Sequence, residues 1–75
     1  MKTAELRPKG MLKQYVDDMD SVEVPSGIPL RDAISSCGIP PELVAMAFID
    51  QKPIGKDVIL QPGEIIDLVA VVGGG

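Results

Sequence analysis

From Leu30 the apolar residues fall at i, i+3, i+4 and i+7 (Leu30, Ala33, Ile34 and Cys37), the stripe of a short amphipathic helix. Pro29 suits its first turn, and Gly38 suits the left-handed position just past its end. Elsewhere the pattern has a period of two. Ser21-Val22-Glu23-Val24 alternates as a strand with one buried face, closed by Pro25-Ser26-Gly27. Thr3 to Leu6 reads as a short strand interrupted by Pro8-Lys9-Gly10, and Met11 to Val16 as a helical turn or wide loop.

After the turn Pro40-Pro41-Glu42-Leu43, the run Val44 to Ile49 is apolar on both alternations. An interior strand beneath the helix, with small side chains on its other face, fits that run. Asp50-Gln51-Lys52-Pro53 turns into a short edge segment at Ile54, since proline cannot donate to a central ladder. Val58-Ile59-Leu60 is a further apolar insertion, and Gln61-Pro62-Gly63-Glu64 has proline and glycine where a type II turn wants them. In the last strand, Ile65 to Val72, the uncharged set Ile66, Leu68, Ala70 and Val72 should face the core. Asp67 then turns Ile65, Val69 and Val71 toward solvent. The order strand, strand, helix, strand, short strand, strand predicts an α+β roll, a mixed sheet of four to five strands with one helix on one face.

Composition narrows the function. At 75 residues the chain is one domain, small enough to bury only about 60% of its unfolded surface, so a large internal active site is not expected. Its net charge of −4 repels phosphate backbones, and Tyr15 and Phe48 are its only aromatics; nucleic acid is not expected as a partner. Asp17, Asp18 and Asp20 could steer it toward a basic partner, although most such charges are simply solvated. No apolar stretch approaches the ~18 residues of a membrane span, and Glu5 interrupts the place of a signal peptide. A cytoplasmic protein, monomeric when free, is expected.

Histidine is absent and Cys37 is the only cysteine, which excludes Cys-His and Ser-His-Asp catalysis and an internal disulfide. Cys37 reads as a small packed residue, and the carboxylates form no spaced metal loop. No bound cofactor or metal is expected. Catalysis, if the protein takes part in it, belongs to a partner's active site.

Pro25-Ser26-Gly27 before the helix, Cys37-Gly38-Ile39-Pro40 after it, Leu60-Gln61-Pro62-Gly63-Glu64 before the last strand and the terminal Gly74-Gly75 together resemble the ThiS/MoaD family of ubiquitin-like, β-grasp sulfur carriers. The resemblance spans essentially the whole chain. Asp50-Gln51 stands where the family often has Asn-Gly, Pro62-Gly63-Glu64 where it often has Asp-Gly-Asp, and Gly73 where many members have a larger residue.

The resemblance implies a β-grasp domain over residues 1–72 and a flexible tail over residues 73–75. It also implies that an ATP-dependent adenylating enzyme, similar to ubiquitin-activating enzymes, converts the Gly75 carboxylate to an acyl-adenylate and then a thiocarboxylate. Gly73 and Gly74 thread the tail into that enzyme, ATP is consumed by the partner, and a synthase subunit accepts the sulfur. The Met11 to Val16 insert favours the molybdopterin branch over the thiamine-thiazole branch. A ubiquitin-like modifier joined to lysines through Gly75, or a binding-only β-grasp module, are the competing readings.

Glycine suits threading because it has no Cβ to block a narrow passage. Fixing Gly73 to Gly75 costs roughly 4–6 kcal/mol of backbone entropy. Burying roughly 250 Å² of apolar surface at about 25 cal/mol/Å² offsets this. Val69 and Val71 are therefore expected to dock the folded body on the partner.

Overall fold

The computed structural model describes residues 2–71. Its strands are β1 (Thr3–Pro8), β2 (Val22–Pro25), β3 (Val44–Ile49), β4 (Lys52–Ile54) and β5 (Ile65–Ala70), with one α-helix, α1 (Leu30–Ser36). Gly10–Val16 and Pro41–Leu43 are 3₁₀ turns. The five strands form one sheet in the order β2-β1-β5-β3-β4. β5 is central, parallel to β1 and antiparallel to β3. This is the expected α+β, β-grasp roll.

The helix follows from its stripe: Leu30, Ala33 and Ile34 are fully buried and Cys37 packs half-buried against them. Its first amides have no partner inside the helix. Leu30 N–H donates to the Val58 carbonyl (2.8 Å) and Arg31 N–H to that of Lys56 (2.9 Å), so the insertion around Val58 caps the helix. At the other end Gly38 has φ +93°, Gly38 N–H donates to Ser35 O (3.0 Å) and Ile39 N–H to Ile34 O (3.3 Å). These two bonds make a complete Schellman motif, with Ile34 and Ile39 both buried in the core.

β1 runs further than its expected end at Leu6, because Pro8 occupies a position where no amide is needed. Glu5 N–H and Lys9 N–H donate toward β5, to Glu64 O (2.9 Å) and Leu68 O (3.1 Å), so the even-numbered amides face β2. β2 has already ended at the Leu6–Val22 pair. A proline there removes no ladder bond. The following segment is the helical alternative of the two expected: Gly10–Val16 buries Leu12 and Val16 and closes the core beside β5.

Asp50 (φ 51°) and Gln51 (φ 67°) are both left-handed, the two-residue turn geometry that joins β3 to β4 without splaying them. The hairpin thus keeps the shape that Asn-Gly usually supplies. Gly63 has φ +83° and Glu64 N–H reaches Gln61 O (3.2 Å), the expected type II turn, which delivers the chain into β5.

Candidate functional site

β5 is paired with β1 on one side and β3 on the other, and its alternation is as expected where it is described. Ile66 and Leu68 have no solvent exposure, Ala70 packs against the core, and Ile65 is 41% exposed on the outward face. The strand ends at Ala70, short of the expected Val72, where its pairing with β3 ends at Val44; its pairing with β1 has already ended at Leu68. One further bond, from Val71 N–H to Leu43 O (2.8 Å), ties the chain to the segment before β3.

Of the two residues expected to meet a partner, Val71 is 44% exposed and Val69 is half-buried. Gly73, Gly74 and Gly75, like Val72, lie outside the described residues. The outward surface beside Val69 is not made of small side chains, as expected for β3. The β3–β5 register shifts between Val44 and Met46: Val44 pairs with Ala70, Met46 with Val69, and Phe48 with Asp67, leaving Ala45 as a bulge.

The bulge resets the strand's alternation. Val44 and Ala47 are buried, Ala45 and Met46 are both exposed, and Phe48 and Ile49 are intermediate. Phe48 also stands opposite Pro53 of β4. Met46, Phe48, Pro53, Val69 and Val71 therefore share the outward face and form an apolar surface reaching the end of β5. Met46, Phe48 and Pro53 are the members that sequence reasoning missed. The signal for Met46 and Phe48 was the run of apolar residues on both alternations, which a bulge explains better than burial on both sides.

Charge lies on the other side of this surface. Asp67, between Arg7 and Phe48 in the ladder, is 3.6 Å from Lys9, and the Arg7 guanidinium holds Glu5 at 2.8 Å. The hydrogen bond and the charge of Glu5 raise the Arg7 pKa. Glu5 stands directly opposite Glu23. An open groove of about 400 Å³ runs between Glu5, Glu23 and Glu64, beside Ile65 at the start of β5 and away from Val71.

The acidic residues proposed for steering are exposed. Asp17 (φ 53°) and Asp18 (φ 58°) turn the chain after the 3₁₀ segment, while Asp20 accepts from Lys13 at 2.7 Å, which lowers its pKa. Cys37 donates its thiol to Ile34 O (3.2 Å), and burial pushes its pKa up. No group of three or more potential metal ligands occurs among the described residues. No described helix is long and apolar enough to cross a membrane.

No protein-family model matches the sequence, and no curated protein matches it. Among solved structures, the chain is similar to a protein from Pyrococcus furiosus provisionally described as molybdopterin converting factor, subunit 1. The match has 15% identity and a TM-score of 0.69, and it covers 96% of this chain and 100% of that one. At that identity the likeness establishes the shared fold.

Proposed function

We propose that this chain is a sulfur carrier of the ThiS/MoaD type, acting in molybdopterin synthesis, whose own residues catalyse nothing. The observation that carries the reading is the apolar outward face of β3, β4 and β5, which reaches Val71, two residues before Gly73. The fold shared with a converting-factor subunit supports it. Residues 1–72 then form the docking body and residues 73–75 the threaded arm.

In this reading an oxygen of the Gly75 carboxylate attacks the α-phosphate of ATP in the adenylating partner, and pyrophosphate leaves. A sulfur nucleophile then displaces AMP, giving a thiocarboxylate whose sulfur passes to an acceptor held by a synthase subunit. Gly73 and Gly74 admit the backbone to a narrow passage. Met46, Phe48, Val69 and Val71 hold the body against the partner, their burial offsetting the entropy lost by the tail.

Intact-mass measurement after incubation with ATP, the adenylating enzyme encoded in the same genome and a sulfur donor tests this. The expected result is replacement of one oxygen by sulfur at Gly75, lost on deletion of Gly74-Gly75. Lysine conjugates instead would make the chain a protein modifier, and an unreactive terminus would leave a binding module.

A further inference from the structure

All three described methionines are surface residues: Met11 is 48% exposed, Met19 47% and Met46 45%. A thioether is a natural core filler, so near-half exposure of each one is unusual for a chain this apolar. Met46 stands on the apolar outward face, across the ladder from Val69 and turned there by the Ala45 bulge. An unbranched, polarisable side chain adapts to differently shaped partners, which suits a surface that meets two enzymes in turn.

The same atom is open to chemistry. We infer that Met46 is an oxidation site at which a peroxide switches off docking, an inference that rests on the carrier reading for its consequence. The Met46 sulfur lone pair attacks one oxygen of hydrogen peroxide and the S–O bond forms as the O–O bond breaks. The departing hydroxide takes the proton from the transferred oxygen. The sulfur is oxidised by two electrons, the peroxide is reduced, and the products are methionine sulfoxide and water.

The sulfoxide is polar and strongly hydrated, so its burial against an apolar partner surface is opposed. Cys37 is a poorer target because its thiol is half-buried and held protonated. Met11 and Met19 match Met46 in exposure and lie outside the strands, Met11 in the 3₁₀ segment and Met19 beyond it, so they act as internal controls for reactivity.

The test uses the carboxylate form of the full chain, treated with hydrogen peroxide, freed of oxidant with catalase and mapped by mass spectrometry. ATP–pyrophosphate exchange is then measured with the adenylating enzyme from the same genome. Each protein is scored by its KM after treatment relative to its own KM before. Wild type and the Met11→Leu, Met19→Leu double variant are expected to show a rise of about tenfold, reversed by the two epimer-specific sulfoxide reductases with dithiothreitol. Met46→Leu is expected to show a ratio near one.

Equal sensitivity of Met46→Leu and wild type, or an unchanged KM in wild type carrying sulfoxide at Met46, overturns the switch while leaving the carrier reading intact. Absence of exchange with untreated wild type overturns both. Circular dichroism of the oxidised protein separates lost docking from lost fold.

Discussion

Met46 stands directly opposite Val69 across the β3–β5 ladder, one residue past the bulge at Ala45. That register makes two strands contribute to one apolar surface, and it gives Val69 an apolar neighbour. Val69 is half-buried for this reason and Val71, beyond the paired region, is exposed.

A carboxylate placed on this surface should impair docking without unfolding the chain. Met46→Asp and Val71→Asp are expected to keep a native circular dichroism spectrum and to raise the KM for adenylation at least about tenfold, through the cost of burying an unpaired charge. Titration calorimetry with the adenylating partner checks the same effect on affinity. Unchanged affinity in both variants sinks the docking role.

Gly38 occupies the left-handed position of the Schellman motif, and a Cβ there meets only the Tyr15 carbonyl at an ordinary 3.6 Å. The cost of Gly38→Ala is therefore conformational. Urea denaturation should show a loss of about 1–2 kcal/mol.

The β3–β4 hairpin holds two side-chain-bearing residues, Asp50 and Gln51, at positive φ. Replacing them with Asn-Gly keeps the turn and relieves most of the strain at the second position. A gain of about 1 kcal/mol is expected, read as an increased urea midpoint at constant slope.

Burial raises the Cys37 thiol pKa above its ordinary 9.0. At neutral pH the folded protein should therefore react with iodoacetamide more slowly than the unfolded chain does. The folded state also holds this proton more tightly. The associated stability is present below the unfolded thiol pKa and is lost as pH rises through the folded one. Cys37→Ser should flatten that alkaline decline.

Much of this arrangement was legible from local pattern. The stripe Leu30, Ala33, Ile34, Cys37, the αL position at Gly38 and the Pro62-Gly63 turn all fix backbone or burial through neighbours in sequence, and each stands where expected. The extension of β1 to Pro8 depends instead on where β2 stops, and the outward aim of Met46 and Phe48 depends on one unpaired residue. Neither fact leaves a periodic trace. An apolar run that looks buried on both sides has the same letters whether its second face meets a helix or awaits a partner.

The hydrogen bond from Val71 to Leu43 also has a mechanical meaning. A force that draws the chain away in the direction of β5 acts along the strand held between β1 and β3. Ladder bonds run across the strands, so such a load is shared by two ladders in shear instead of opening one bond at a time from an edge. The body can be pulled by its tail without being unzipped.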